Sequence, residues 1–252
     1  MKKRLVIVFL LLLAFGAARV PLEQHLDAVH QEAGFRTARI DLDLRSKISQ
    51  MGFVAALSGF RSFVAAVLWI EAHTAWERTE WGRMAGLFDT VTTLQPKSAL
   101  YWDMASWHMA WNASNSALDN KDEPNEFLRR RAQRQYFELG KKFLEDGLNN
   151  NPGSSHLWER YAVLLRDKFE DHCAAADAFL KASEIPDARS YLPRMAAYEM
   201  TKCPGREQEA YDLLKKLYDS DPGNHVPSLI ARLKELEDKL GIPASDRIPS
   251  EP

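Results

Sequence analysis

The feature that most constrains this chain is a fixed interval between prolines. Pro152 and Pro186 are 34 residues apart, and Pro222 follows 36 residues later. An interval of 34 residues is typical of a helix–turn–helix unit that repeats along a chain. Aromatic, apolar and small residues recur after the prolines at helical spacing: Trp102, Ala105, Ser106 and Met109 after Pro96, and Trp158, Tyr161, Ala162 and Leu165 after Pro152. The sequence therefore predicts an all-α chain of helix pairs, each closed by a proline.

These positions resemble the tetratricopeptide repeat (TPR) family. In that family an aromatic and small residues lie on one helix, alanine and an aromatic lie on the next, and proline follows. The resemblance covers about residues 62–240, and its best matches are Trp158, Tyr161, Ala162, Ala174 and Pro186. It implies a right-handed α-solenoid of about four TPR-like helix pairs and a C-terminal capping helix.

A narrower resemblance rests on four short stretches. They are Gly59-Phe60-Arg61, Leu94-Gln95-Pro96, Tyr101-Trp102 and Trp-His-Met-Ala-Trp-Asn at residues 107–112. These stretches are similar to the corresponding sequences of uncharacterised membrane-associated bacterial TPR proteins. What the resemblance implies is a curved helical scaffold that binds another protein.

Two regions depart from a regular repeat. Pro96 and Pro152 are 56 residues apart, which indicates an insertion of about 22 residues at 112–133. Residues 112–126 are rich in Asn, Asp and Ser, so we expect a loop there on one face of the solenoid. Leu229, Leu233, Leu236 and Leu240 form one apolar stripe, which predicts a terminal capping helix that stops at Gly241. Residues 241–252 are expected to form a disordered tail.

The N-terminus predicts contact with a membrane. Three basic residues precede an apolar run at residues 5–18, so residues 1–20 are a cleaved signal peptide or a retained anchor. The positive-inside tendency places the bulk of the chain outside the cytoplasm. The expected location is the bacterial inner membrane, single-pass with periplasmic bulk, or the periplasm after cleavage. Residues 21–61 are expected to form a helix and linker that pack on the solenoid at residues 62–240.

A second apolar stretch at residues 51–70 is also long enough to be weighed as a membrane span. Arg61 lies at its middle, and a central arginine costs about 2.5–3.5 kcal/mol on insertion scales. We therefore expect a buried soluble helix here.

Several classes of function lack support in the sequence. The 33 basic and 35 acidic residues nearly balance, which disfavours a nucleic acid partner. The seven histidines show no metal-ligand spacing, and there is no phosphate-binding loop or nucleophile elbow. We therefore expect a protein that is not an enzyme, with no cofactor and no metal.

Tryptophans mark the candidate binding surface. In a TPR-like repeat the first-helix positions not used for packing face a concave groove, and here they are Trp69, His73, Trp76, Asp103, Trp107 and Trp111. Tryptophan is enriched at binding hot spots, so this predicted groove is expected to bind a protein or peptide partner. In the competing interpretation, residues 35–53 of the same chain fill the groove. Two other functions stay open: a structural subunit of a membrane complex, and a cell-wall glycan binding protein or hydrolase.

Cys173 and Cys203 are the only cysteines, and both fall near the turns between the helices of successive repeats. Outside the cytoplasm they could form a disulfide. The alternative is two free, partly buried thiols.

Overall fold

The computed structural model describes residues 59–186 and 188–249. Regular secondary structure in these ranges is helical, with no strand, which confirms the all-α prediction for this part of the chain. The predicted signal or anchor at residues 1–20 and the predicted N-terminal segment up to residue 58 lie outside the described residues. Within the described ranges, no helix combines the length and the apolar character needed to cross a bilayer.

Ten α-helical segments follow one another in the described ranges. They are α1 (Arg61–Glu77), α2 (Trp81–Leu94), α3 (Ala99–Trp107), which continues through a π-helical segment (His108–Ala113) into α4 (Ser114–Leu118), α5 (Glu126–Asn150), α6 (Ser155–Lys168), α7 (His172–Ser183), α8 (Leu192–Met200), α9 (Glu207–Ser220), a 3₁₀ turn (Pro222–Asn224) and α10 (Pro227–Leu240). The main contacts join consecutive helices, and α3 also contacts α6. Pro96, Pro152, Pro186 and Pro222 all lie in the joints between helices.

The joints at Pro96 and Pro152 are built from the same parts. The indole N–H of Trp102 donates to the Pro96 carbonyl at 2.9 Å, and that of Trp158 donates to the Pro152 carbonyl at 3.2 Å. In both cases the tryptophan follows its proline by six residues, and the next helix begins after a serine. Each indole therefore has its polar N–H satisfied at the joint.

The first core cluster lies among α1–α6 and is rich in large side chains. Its members include Met84, Phe88, Trp102, Met109 and Phe143. Two glycines let α5 approach α3 closely. A Cβ at Gly147 would lie 2.8 Å from the Trp102 Cβ, and one at Gly140 would lie 2.7 Å from the Ala110 Cβ.

The second core cluster lies among α6–α10 and is rich in alanine. Its buried alanines are Ala162, Ala175, Ala176, Ala178, Ala182, Ala196, Ala197 and Ala210. α6 belongs to both clusters, since Leu157 and Leu164 face the first while Ala162 and Leu165 face the second. Small side chains on several consecutive helices let those helices pack closely.

The predicted loop over residues 112–126 is wrong in its extent. The helix that starts at α3 continues to Leu118, and α5 starts at Glu126. One of the polar residues that suggested a loop is satisfied inside the helix, since the Ser114 hydroxyl donates to the Ala110 carbonyl at 2.7 Å. Asn125 caps α5 by accepting from the Phe127 N–H at 3.0 Å. The insertion at residues 112–133 thus lengthens two helices around a short connection.

The predicted disordered tail is also wrong for residues 241–249. Gly241 has a φ of 66° and ends α10, where the Ile242 N–H donates to the Glu237 carbonyl at 2.9 Å. The chain then folds back, and Ile248 is buried in the second core cluster. The buried Glu237 carboxylate accepts the Ile248 N–H at 2.7 Å, so the tail is tied to the last helix.

α1 is apolar on two faces. It buries Ala65, Leu68, Ala72 and Ala75 against the rest of the molecule. A second line of apolar residues is exposed, and we call it the α1 stripe: Phe60, Phe63, Val67 and Ile70. The prediction of a buried helix within residues 51–70 is therefore wrong for this face of α1, while residues 51–58 lie outside the described residues.

Candidate functional site

Aromatic side chains from three helices meet around His108. The distances from its ring centroid are 4.9 Å to Trp107, 5.6 Å to Phe88 and 6.0 Å to Trp76. Trp69 joins the group by packing on Phe88 at 5.4 Å and on Tyr101 at 5.0 Å. We call this group the aromatic cluster: Trp69, Trp76, Phe88, Tyr101, Trp107 and His108. It brings together three of the four tryptophans of the predicted groove.

α1 positions its part of the cluster through helical spacing. Trp69 and Trp76 are seven residues apart, so they lie two turns apart on one face. His73 lies between them and stacks on Trp76 with ring centroids 5.3 Å apart. Its Nε2 is 3.6 Å from a Glu77 carboxylate oxygen, and its side chain is 63% exposed. His73 therefore lies at the solvent edge of the cluster.

His108 is the centre of the cluster and was not among the predicted site residues. The Asn112 amide donates to its Nδ1 at 3.0 Å, so the remaining proton sits on Nε2. Burial disfavours the charged ring, and nearby His73 adds to the effect, so the pKa of His108 falls to about 4. The centre of the cluster is thus uncharged at neutral pH. The neighbouring Trp107 and the Asn112 four residues later are the only hints in the sequence.

A π-helical segment carries several of these residues. It spans His108–Ala113 and includes His108, Trp111 and Asn112. π-helical turns are rare and occur frequently at functional sites. This irregular turn directly follows Trp107 in the chain and carries the buried His108.

The predicted groove tryptophans divide into two pairs. Trp69 and Trp111 pack against the first core cluster. Trp111 is also covered by the Lys168 Nζ, which lies 5.0 Å from its ring and 5.2 Å from the Phe137 ring, and burial lowers the pKa of Lys168. Trp76 is 37% exposed, and Trp107 is half-buried. The accessible part of the predicted groove is therefore Trp76, Trp107 and His73.

Asp103 does not face an open groove. Its carboxylate is buried, accepts a hydrogen bond from His156 Nε2 at 2.7 Å, and accepts another from Arg160 Nε at 2.8 Å. Burial alone would raise the pKa of Asp103, but the His156 hydrogen bond and the Arg160 charge outweigh it and lower the pKa. Because both carboxylate oxygens are occupied, Asp103 joins α3 to α6, and its assignment to the groove is corrected.

A second buried carboxylate with two side-chain hydrogen bonds occurs at the next joint. Glu159 follows Pro152 by seven residues, as Asp103 follows Pro96. Glu159 is buried and accepts from Arg189 Nη1 at 3.1 Å and from the Tyr191 hydroxyl at 2.5 Å. Two equivalent carboxylates therefore connect successive helix pairs. Their matching distance from a proline is the sequence feature that could have identified Asp103 as structural.

The structure joins Cys173 and Cys203 by a disulfide, with Cα atoms 5.3 Å apart. This separation is typical of disulfides. The bridge ties the start of α7 to the segment after α8. Next to it, the Glu199 carboxylate accepts from His172 Nδ1 at 2.7 Å and from Lys202 Nζ at 3.2 Å.

In the described part of the chain, no three His, Cys, Asp or Glu side chains lie close enough together to hold a metal ion. The chemistry that the accessible residues offer is apolar and aromatic contact, with hydrogen bonding at the His73 edge. No protein-family model and no curated protein sequence matches this chain.

Proposed function

We propose that this protein is a non-enzymatic scaffold of the bacterial cell envelope that binds a segment of a partner protein on the accessible edge of the aromatic cluster. The observation that carries the proposal is the position of Trp76 and Trp107. Both are partly exposed, and both contact the buried His108 ring. A partner segment would cover aromatic surface that is already held in place, so little side-chain entropy would be lost on binding.

The electrostatics of the cluster favour an apolar or aromatic partner side chain. His108 is uncharged at neutral pH because its pKa is about 4. At the edge of the cluster, the His73 Nε2 lies 3.6 Å from a Glu77 carboxylate oxygen, and the carboxylate of Asp103 on α3 is occupied by His156 and Arg160. We therefore propose that apolar burial supplies most of the affinity and that polar groups at the edge set the orientation.

The architecture we propose is a right-handed α-solenoid of TPR-like helix pairs. It is supported by the matching joints at Pro96 and Pro152 and by the matching carboxylates Asp103 and Glu159. The C-terminal cap is supported by the burial of Leu229, Leu233 and Leu236. The envelope location rests on the sequence of residues 1–20 alone.

A second candidate function is that of a structural subunit of a membrane complex. The exposed α1 stripe favours it, since a contiguous apolar face on a helix is a common protein contact surface. The glycan-binding or hydrolase alternative has less support. It relied on the tryptophans beside Asp103 and His73, and the carboxylate of Asp103 is buried and hydrogen-bonded.

Site-specific photo-crosslinking in cells tests the proposal. A photoreactive phenylalanine analogue is placed at Trp107, and separately at Phe127, which is 71% exposed on α5 and serves as the control. We expect a discrete adduct from position 107 that is absent from position 127. Trp76→Ala should reduce its yield at least tenfold while the melting temperature stays within a few degrees. Equal adducts from both positions, or none from position 107, would contradict the proposal.

A further inference from the structure

The disulfide between Cys173 and Cys203 lies beside a group of charged side chains that the scaffold function does not use. A basic residue directly precedes each cysteine, His172 before Cys173 and Lys202 before Cys203. Both basic side chains bond the same buried carboxylate, since Glu199 accepts from His172 Nδ1 at 2.7 Å and from Lys202 Nζ at 3.2 Å. Glu199 therefore ties together the same two segments that the disulfide joins.

The two sulfur atoms lie in different surroundings. Cys203 is 1% exposed, and its Sγ lies 3.7 Å from the backbone carbonyl oxygen of Glu199. That oxygen can accept a hydrogen bond from the Cys203 thiol once the bridge is broken, so the reduced thiol has a partner within the core. Cys173 is partly exposed. A reagent in solution can therefore reach the Cys173 sulfur while the Cys203 sulfur is covered.

The position of Cys173 in its helix favours a thiolate there. Cys173 is the second residue of α7, which has 12 residues. The N-terminus of a helix stabilises negative charge, as does an adjacent basic side chain, and both lower the free energy of a thiolate. The Asp171 carboxylate at the same end of α7 opposes this effect, and it accepts a hydrogen bond from the Ala174 N–H at 3.0 Å.

We propose that Cys173 and Cys203 form a reversible thiol–disulfide exchange site, in which Cys173 is the sulfur attacked and a dithiol is the substrate. A thiolate of the dithiol attacks the Cys173 Sγ, the bond to Cys203 breaks, and Cys203 leaves as a thiolate that takes up a proton. The second thiol of the substrate, after losing its proton, attacks the substrate sulfur of this mixed disulfide and releases Cys173 as a thiolate. The dithiol is oxidised to a disulfide, and the two cysteines are reduced by two electrons.

Glu199 is a positioning residue of this site. Its hydrogen bonds to His172 and Lys202 involve neither sulfur atom, so they do not depend on the bridge. They hold the start of α7 beside the end of α8 after the bridge is broken. The two thiols then remain close together, and closure of the disulfide stays an intramolecular reaction.

Reduction of the folded full chain by dithiothreitol tests whether the native protein is attacked. We expect the rate of reduction to increase linearly with the concentration of dithiothreitol under conditions where the protein stays folded. A structural disulfide that opens only in the unfolded chain would instead give a rate that levels off at the rate of unfolding. That result would overturn the proposal.

Two single-cysteine variants test which sulfur reacts. Cys203→Ser retains Cys173, and Cys173→Ser retains Cys203. Both are treated with glutathione disulfide while folded, and the mixed disulfides are measured by mass spectrometry. We expect Cys203→Ser to form its mixed disulfide about tenfold faster or more than Cys173→Ser. Equal rates, or faster reaction at Cys203, would contradict the assignment of Cys173 as the reactive sulfur.

Glu199→Gln tests the positioning role. In buffers of reduced and oxidised glutathione, the fraction of bridged chains gives the equilibrium constant for closure of the disulfide in the folded protein. We expect Glu199→Gln to lower this constant about tenfold or more. Asp103→Asn is the matched control, because Asp103 is also a buried carboxylate bonded to a histidine and a basic side chain, and it should leave the constant unchanged. Equal changes in both variants, or no change in Glu199→Gln, would show that Glu199 does not position the thiols.

Discussion

The two ends of the described chain finish their cores in different ways. At the C-terminal end, α10 buries its leucines and Ile248 folds back to cover them. At the N-terminal end, α1 leaves Phe60, Phe63 and Ile70 exposed. A stack of helices is soluble only when its terminal faces are covered or polar. The comparison shows that the C-terminal end of the described chain is closed by its own apolar side chains, whereas α1 leaves an apolar face exposed.

The two core clusters also differ in composition. The first core cluster combines bulky side chains with glycine contacts, and Trp69 of the aromatic cluster packs against it. The second core cluster uses alanine, a disulfide and a buried Glu237 that ties the tail. The partly exposed aromatic side chains thus occur in the half of the molecule whose core is rich in large side chains. The candidate binding surface and the α1 stripe both lie in this N-terminal half, α1–α5, and the C-terminal half is α6–α10.

The largest effect should come from the disulfide, and it should be confined to the C-terminal half. Cys173→Ala with Cys203→Ala removes a bridge that closes a loop of 30 residues. On the chain-entropy account this costs about 3.5 kcal/mol of unfolding free energy. Hydrogen exchange should show α7 and α8 losing protection while α2 and α5 keep theirs. Equal loss across all helices would show that the halves are a single cooperative unit.

Reductant provides the control for this prediction. Wild-type protein treated with reductant should approach the stability of the double variant, and reductant should leave the double variant unchanged. If untreated wild-type protein shows two reactive thiols after denaturation, the bridge is not formed in solution.

The next effect concerns acid sensitivity in the N-terminal half. The folded-state pKa of His108 is about 4, below its ordinary value of 6.5, so the unfolded chain binds the proton more readily between these values. Stability should be fully present above pH 6.5 and should fall by up to about 3 kcal/mol as the pH drops to 4. His108→Gln should flatten this slope in urea titrations. Identical slopes in both proteins would show that His108 is not buried in the neutral form.

The sequence predicted the helical character of the chain and the joints between its helices better than it predicted the candidate binding surface. The proline interval predicted joints at Pro96 and Pro152, and both joints were found, because proline and its following tryptophan act locally. Asp103 was assigned to the wrong role, since its partners His156 and Arg160 come from another helix pair more than 50 residues away. Spacing within one helix cannot show which partner a side chain meets across a joint.

The insertion and the tail were misjudged for a related reason. Asn, Asp and Ser favour loops when they compete with the backbone for hydrogen bonds. Ser114 instead bonds within its own helix, and burial of the neighbouring residues holds that helix together. Ile248 is a single apolar residue in a polar tail, so only the structure shows that it reaches the second core cluster.

A smaller loss of unfolding free energy should follow from adding a side chain at Gly147, in the N-terminal half. An alanine Cβ at Gly147 would lie 2.8 Å from the Trp102 Cβ and Cγ. Overpacking typically costs about 1–3 kcal/mol, and the better helix propensity of alanine returns roughly 1 kcal/mol. We expect Gly147→Ala to lower the unfolding free energy by up to about 2 kcal/mol. Gly153→Ala, where the added Cβ meets nothing within 4 Å, is the matched control and should change it little.

The smallest effect should be a gain in unfolding free energy. It is expected at a position where the N-terminal half has a serine and the C-terminal half has an alanine. Ser106 follows Pro96 by ten residues, as Ala162 follows Pro152. Among the described residues, the Ser106 Oγ is buried with no hydrogen-bond partner, which costs about 1 kcal/mol or more. Ser106→Ala should therefore raise the unfolding free energy by about 1 kcal/mol in urea titrations. Ser114→Ala, which removes a hydroxyl bonded to the Ala110 carbonyl, should give no such gain, and a loss at Ser106→Ala would mean that its hydroxyl has a partner in solution.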